Sequence, residues 1–366
     1  MCCQPGTATM YPVEPPFPGS ANTTRLYSPI TLNNDWPTLE RLVLIILSAC
    51  IGSTMNGFFV SSFFVEHMLQ KRLFCPTGYV FIACVGLSDL IITGGVMPIS
   101  AIVLLSGQWD TTPVCQVLQF FTEASTYSYS LFFSLVAVET YFRQCRKTSR
   151  YEYFMSMGIG LLSVLVFIIS FAVAGIGAFF GLDYDYCERQ HFGNLYFRCL
   201  TDFLIHVVPF FITFYCLLAS LSKIRRRARL RVSYRRSIQY PRDYAMTNLN
   251  IFAFIIFVLG WTPYLIILHE FPRTSDQNFY ISAWVGVCRS LVTSILYCTL
   301  NRNFRRAFAY LFCYCCCKST VPRSYRNRQR TVTGGNVSVH IMHQAVTMSR
   351  TRGTRYASGI QETRSL

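Results

Sequence analysis

The chain runs to 366 residues, 52% hydrophobic and only 14% charged, with 31 Phe and 22 Tyr. That balance argues against a soluble globular domain and for a chain that buries most of its surface in lipid. A mean hydropathy of +0.34 coexists with a formal net charge of +16, so the basic residues must be segregated from the apolar stretches.

Residues 1–40 form a polar, Pro-rich tail with no basic segment followed by a short apolar one, so no cleavable signal peptide is expected. The first long apolar helix then acts as its own targeting signal. Residues 41–301 are predicted to form an all-α, seven-transmembrane helix bundle. Crossing a hydrocarbon core of roughly 30 Å takes about 20 mostly apolar residues. Seven runs meet this: Leu42–Val65, Gly78–Leu105, Cys115–Ala137, Ser156–Phe180, Tyr196–Leu221, Leu249–Leu268 and Phe279–Leu300. The loops between them are short, apart from a basic stretch at 222–245.

Cytoplasmic loops carry the excess of Lys and Arg. Lys71 and Arg72 fall in the first loop, Arg146, Lys147 and Arg150 in the third, and Lys223 with the run from Arg225 to Arg242 in the fifth. The second loop has none, the fourth sets Arg189 against Asp183, Asp185 and Glu188, and the sixth has only Arg273. The predicted protein is therefore a multi-pass membrane protein with its N-terminus on the extracellular side and its C-terminus cytoplasmic. Asn22 opens an extracellular glycosylation sequon, whereas the Asn336 sequon lies inside and stays bare.

After the last span, Arg302–Phe312 has apolar and basic residues at helical spacing, followed by Cys313, Cys315, Cys316 and Cys317. Residues 302–317 thus read as a short amphipathic eighth helix on the membrane surface with palmitoylated cysteines. An unmodified thiol cluster is the alternative. Residues 318–366 are rich in Ser, Thr, Arg and Gly and are expected to be a disordered cytoplasmic tail open to phosphorylation.

Internal landmarks narrow the class. Asn56 lies mid-span in the first helix and Asp89 in the second. Cys115 opens the third and Glu139-Thr140-Tyr141 closes it. Pro209 sits in the fifth, Phe257 precedes Trp261-Thr262-Pro263 in the sixth, and Tyr297 precedes Phe304. At these spacings the chain resembles the rhodopsin-like, or class A, G-protein-coupled receptors over residues 42–312. Three patches resemble melatonin receptors and their invertebrate relatives: Gln108-Trp109-Asp110 ahead of Cys115-Gln116, Tyr141 with Cys145 and Tyr151-Glu152, and Pro241-Arg242-Asp243-Tyr244. An opsin needs a lysine in the seventh span for a Schiff base, yet Lys71, Lys147, Lys223 and Lys318 are the only lysines and all lie outside the spans. No repeat symmetry of the transporter kind is visible.

The resemblance implies a disulfide between Cys115 and Cys187, with Cys199 as a competing partner. It also implies that the position of Asp89 binds sodium. Here Arg289 falls one turn above Thr293 on the face turned toward Asp89, so we expect an Asp89–Arg289 pair that supplies the cation internally. The alternative is an arginine that snorkels or faces a polar cavity. Expected conformational-switch residues are Asn56, Asp89, Glu139, Thr140, Tyr141, Phe257, Arg289, Thr293 and Tyr297. Three departures stand out. Thr140 replaces the arginine that contacts the G protein, Thr293-Ser294-Ile295-Leu296-Tyr297 replaces Asn-Pro-x-x-Tyr, and the fourth span has no tryptophan.

The ligand site is expected between the third, fifth, sixth and seventh helices, from Thr122, Glu123, Thr126, Asp202, His206, Trp261 and Tyr264. Thr122 stands where amine receptors place an aspartate, which disfavours a simple amine. Asp202 and His206, four apart, share a helical face and either meet ligand or pair structurally. His206 lies three residues before Pro209 where melatonin receptors have four, an offset of about 100° on an undistorted helix.

Two functions follow. The first is a cell-surface receptor passing an unknown extracellular ligand's binding to a heterotrimeric G protein, with arrestin and membrane lipids as further partners. The second is a divergent seven-helix scaffold or arrestin-biased protein without ordinary G-protein activation, on the strength of Thr140. No nucleophile-and-base constellation or metal-ligand spacing is present, so neither enzymatic activity nor a metal or cofactor is expected.

Overall fold

The computed structural model describes residues 38–69, 78–106, 112–145, 158–183, 193–237, 239–270, 276–301 and 305. Asn22, Cys187, Phe304 and the Cys313–Cys317 cluster, together with the tail, lie outside the described residues. So does the whole of Arg306–Leu366, a unit separate from Met1–Arg305.

Helix α1 is Thr38–Leu69. Helix α2 is Gly78–Ile91, carried through a π turn, Ile92–Val96, into Met97–Ser106. Then come α3, Thr112–Cys145, and α4, Ile159–Phe179. Helix α5 is Leu195–Asp202, a π turn at Phe203–Val207, and Val208–Leu230. A single turn at Val232–Arg236 leads to α6, Gln239–Glu270, and then to α7, Asp276–Leu300.

Six of these helices are long and apolar enough to cross a membrane: α1, α2, α4, α5, α6 and α7. The exception, α3, is long enough at about 50 Å, but it is more polar. Its position explains why. Helix α3 packs against α2, α4, α5 and α6, and Glu123 to Ser130 are buried without interruption, so every face is covered by protein rather than lipid. Its hydroxyls bond to the neighbouring helices: Ser125 Oγ donates to Ser88 O (2.6 Å), Ser88 and Ser128 share a hydrogen bond (2.8 Å), and Ser130 Oγ donates to Ile205 O (2.6 Å). Small residues let the helices approach, and the hydrogen bonds fasten them where no aqueous hydrophobic effect can.

The last of these bonds explains the π turn in α5. Pro209 has no N–H for the Ile205 carbonyl four residues earlier, and Val208 N–H reaches back to Phe203 O instead. The freed carbonyl is taken by Ser130. The π turn in α2 works similarly: Met97 N–H bonds Ile92 O, and Ser53 Oγ of α1 takes up the skipped Thr93 carbonyl (2.7 Å). Nearby, α1 touches its neighbours through Gly52, where a Cβ would lie 2.4 Å from Leu291 Cδ2 and 2.5 Å from Thr93 Cγ2. Above this contact, Ile45, Ala49, Ile92, Val96, Met97, Leu118 and Val287 join α1, α2, α3 and α7 in one apolar cluster.

Two expectations are corrected here. The basic stretch at 222–245 is not a long loop, because α5 continues to Leu230 and α6 begins at Gln239. Arg, Ala and Leu are good helix formers, so helicity outlasts apolarity. For the same reason α3 runs from Thr112 to Cys145 rather than stopping at Ala137.

Candidate functional site

Polar groups buried in the middle of the bundle converge on Arg289 of α7, which is 2% exposed. Its Nη1 lies 3.4 Å from Asp89 Oδ1 of α2, which is fully buried. Its guanidinium carbon sits 4.2 Å from the centroid of the Tyr129 ring on α3, 5.1 Å from Phe257 and 5.6 Å from Trp261, both on α6. One cation thus meets a carboxylate and three aromatic faces on three other helices, the arrangement that stabilises a guanidinium away from water. The ion pair itself is loose. A charge-assisted contact closes to about 2.7–2.9 Å, and Arg289 Nε and Nη2 and Asp89 Oδ2 make no hydrogen bond among the described residues.

Around it lies a second layer. Tyr129 Oη and Thr293 Oγ1 share a hydrogen bond (3.2 Å), and Asn56 Nδ2 donates to Thr93 Oγ1 and Ser290 O, both at 3.1 Å. Ser294 Oγ donates to Asn56 Oδ1. Asn56, Asp89, Phe257, Arg289 and Thr293 are thereby gathered in one region, while Glu139, Thr140, Tyr141 and Tyr297 lie toward the opposite end. Tyr129 was not singled out, and its only sequence signal is its place within the Ser/Thr/Tyr run of α3.

Toward the Cys115 end, a cavity between α3, α6 and α7 is lined by Gln119, Thr122, Glu123, Trp261, Tyr264, Ala283 and Val287. About 20 Å³ of it can be occupied, within some 340 Å³ of atom-free space. Gln119 Nε2 donates to Glu123 Oε1 (3.0 Å), while Glu123 Oε2 and Trp261 Nε1 have no hydrogen-bond partner among the described residues. The Trp261 and Tyr264 rings lie 4.8 Å apart. Of the expected ligand-binding residues, Thr122, Glu123, Trp261 and Tyr264 line this cavity. Thr126, Asp202 and His206 do not. The hydroxyls of Thr122 and Thr126 both bond back to their own helix, at Leu118 O and Thr122 O.

His206 is buried and meets the Tyr127 ring edge-on at 5.7 Å. The π turn from Phe203 to Val207 removes the undistorted helix on which its predicted rotation and its shared face with Asp202 were based. Beside it, Arg198 pairs with Asp183 (3.6 Å), and Tyr127 Oη donates to Asp183 Oδ2 (3.4 Å). Cys115 is disulfide-bonded and Cys199 is a free thiol, which removes the competing partner.

At the opposite end, Arg143 bridges two helices. Its Nε lies 3.4 Å from Glu139 on α3, one turn earlier, and its Nη1 lies 3.6 Å from Asp243 on α6. Thr140 Oγ1 donates to Val136 O (2.8 Å) and accepts from Asn250 Nδ2 (3.5 Å), and Asn250 Oδ1 accepts from Tyr297 Oη (2.7 Å). Thr140, Asn250 and Tyr297 thus tie α3, α6 and α7 together, while Tyr141 turns to Tyr215 of α5, centroids 6.0 Å apart. Arg143, Asp243 and Asn250 were not predicted as site residues. The Glu139–Arg143 spacing of four was a readable signal, but the reach to Asp243 depends on helix packing.

The fold and these three buried layers define a seven-helix membrane bundle with a small cavity at one end and an interhelical ion pair at the other. The chain matches the family model for the 7 transmembrane receptor (rhodopsin family) over residues 56–322. It belongs to that family, and so to the G-protein-coupled receptors as a class. It is similar to the histamine H2 receptor of Canis lupus familiaris, 24% identical over 302 residues, covering 76% of this chain and 81% of that receptor. It is also similar to the melatonin receptor type 1B of Gallus gallus, 21% identical over 249 residues, covering 63% of this chain and 85% of that one. A shorter match to the alpha-2Db adrenergic receptor of Danio rerio is 39% identical over 64 residues, but it spans only 15% of that protein and 16% of this chain.

Proposed function

We propose that this protein is a plasma-membrane receptor, N-terminus outside and C-terminus in the cytoplasm, that senses a ligand at the Cys115 end and signals to a heterotrimeric G protein at the Glu139 end. The observation that carries this reading is the shared position of Trp261. It lines the cavity and also lies 5.6 Å from the guanidinium of Arg289, which in turn touches α2, α3 and α6. A ligand that moves Trp261 changes the environment of a cation in contact with α2, α3 and α6, and a ligand favouring one arrangement shifts the population toward it. Arg289 supplies in this chain the positive charge that the family pattern takes from sodium. The disulfide of Cys115 with Cys187, a glycan on Asn22 and palmitoylation of Cys313, Cys315, Cys316 and Cys317 belong to the same reading and rest on the sequence.

A second reading is favoured by Thr140. Lacking the family's arginine, the bundle could bind its ligand and act as a scaffold, or engage arrestin, without driving nucleotide exchange. The two separate in one experiment: basal and ligand-stimulated activation across a G-protein panel, comparing wild type with Thr140→Arg at matched surface expression. Coupling by the wild type is the expected result. Coupling only by Thr140→Arg overturns it in favour of the scaffold or arrestin reading.

A further inference from the structure

The seam between α5 and α6 opens on the outside of the bundle as a groove of about 320 Å³, lined wholly by Phe, Leu, Ile and Val side chains. Phe210, Phe214 and Leu218 form one wall and Ile251, Ile255 and Leu259 the other. Aromatic contacts fix its floor: the Phe210 ring lies 5.3 Å from that of Phe254 on α6 and stacks on Phe214 at 6.2 Å. Phe214, Leu218, Ile255 and Leu259 remain exposed, and on two membrane-crossing helices that exposure is to lipid tails. A slot of this kind differs from a flat lipid-facing surface, because an acyl chain lying in it is touched from both sides.

The same two helical faces lead from the groove to a polar mouth. On α5, steps of three and four run from Phe214 through Leu218 and Leu221 to Arg225, and on α6 from Ile255 through Ile251 and Asn248 to Tyr244. Those end residues meet across the seam: Arg225 Nη2 donates to Tyr244 Oη (3.5 Å), and the guanidinium carbon lies 5.9 Å from the ring centroid. Arg225 is otherwise exposed, with most of its donor fork left for a partner. From Phe210 to Arg225 the helix rises about 22 Å, and half a bilayer with its headgroup layer measures about 20–22 Å. Groove and mouth together thus have the length of one leaflet. The local charge sets the sign of the partner, since residues 222–245 hold eight arginines and Lys223 against Asp243, a carboxylate that Arg143 already engages.

We infer that the α5–α6 seam is a binding site for one anionic phospholipid of the cytoplasmic leaflet, with an acyl chain in the groove and the phosphate on Arg225. A guanidinium fork matches phosphate oxygens in pairs, which fixes the headgroup at the mouth while the chain follows the apolar walls. The arginines on other faces add only the general attraction of a basic surface for anionic lipid. The choice of leaflet rests on the topology proposed above, and the site itself depends neither on the extracellular ligand nor on the G protein.

The test uses the full chain in symmetric nanodiscs of phosphatidylcholine and phosphatidylserine in equal amounts, so that neither orientation nor G-protein coupling enters the result. After extraction into detergent, the lipid retained by the chain is quantified by mass spectrometry. The wild type is expected to retain phosphatidylserine in about fivefold preference, the scale of one basic residue at an anionic surface. Arg225→Gln is expected to lose most of that preference, whereas Arg235→Gln, which removes an exposed arginine from the turn between the two helices, keeps it. Leu218→Trp and Ile255→Trp fill the groove from either wall without touching a charge, and each is expected to lower the retained phosphatidylserine at least about twofold. Absence of the preference in the wild type, equal loss in Arg225→Gln and Arg235→Gln, or undiminished retention in a folded tryptophan variant overturns the inference. Thermal unfolding identifies the folded variants, and where one tryptophan variant does not fold the other decides.

Discussion

Replacing Asp89 by Asn removes the carboxylate that, among the described residues, pairs with Arg289, while leaving shape and volume nearly unchanged. Breaking a buried ion pair by removing one partner costs about 3–5 kcal/mol, because the other charge is left uncompensated. Two features of this pair move the expected figure to the lower end. The 3.4 Å separation is longer than a tight charged hydrogen bond, and the new amide oxygen can still accept from the guanidinium, retaining about 1 kcal/mol. The Tyr129 face at 4.2 Å contributes in both forms and cancels. We therefore expect a loss of about 2–4 kcal/mol for Asp89→Asn.

Arg289→Met is expected to cost less, about 1–2 kcal/mol, for an electrostatic reason: a lone buried carboxylic acid can shed its charge by taking a proton, whereas a guanidinium cannot. The double variant carries neither charge and is expected to recover most of the loss, leaving a coupling of roughly 2–4 kcal/mol across the cycle. The assay is thermal unfolding of the four purified forms in matched detergent, supported by surface expression in cells. Strict additivity, with coupling below about 0.5 kcal/mol, would falsify the pair as a structural unit.

Two further outcomes follow from the contacts at either end. Arg143→Gln or Asp243→Asn severs the bridge between α3 and α6; with the side chains 20% and 14% exposed the link is worth only about 0.5–1 kcal/mol, so basal nucleotide exchange should rise about two- to fivefold, and unchanged or lower basal activity refutes a restraining role. At Gly286 a Cβ would lie 2.7 Å from Trp261 Cε3, so Gly286→Ala should displace the indole, cost about 1–3 kcal/mol and shift the tryptophan fluorescence, whereas a spectrum and stability like the wild type's would show that the ring moves freely.

The number of helices was legible from apolar run lengths, whereas the expectation that Arg289 faces Asp89, and the choice of Asn56 and Thr293, came from the family resemblance. Helix ends were not legible, because hydropathy reports where lipid begins while helicity at 222–230 and 239–248 follows backbone propensity. Pro209 was visible, but the π turn beside it depends on Ser130 being positioned on another helix to take the released carbonyl, as the π turn in α2 depends on Ser53. Likewise, the sequence marks Glu123 as an ionisable residue within a span, but not that one of its oxygens is left over after Gln119 is satisfied. Such facts live in the register between helices, which no single-helix period contains.

The departures from the family pattern look less like decay once the neighbours of each are considered. Thr140 lacks a charge, yet Glu139 is still paired, by an arginine three residues beyond Thr140 that also reaches α6. The seventh helix lacks its usual proline and asparagine, yet Tyr297 still bonds across to α6 through Asn250, which in turn meets Thr140. A chain drifting without constraint would be expected to leave such buried groups unmatched, since each orphaned partner costs about 1–3 kcal/mol and nothing in a bilayer offsets it. Among the described residues, buried atoms without a hydrogen bond occur at both ends: Glu123 Oε2 and Trp261 Nε1 on the cavity wall and the guanidinium of Arg289 behind it, and Thr247 Oγ1 and Tyr234 Oη toward the Glu139 end. What is matched are the positions where the family pattern is broken: Thr140, Asn250 and Tyr297 keep their bonds to one another while other buried hydroxyls do not.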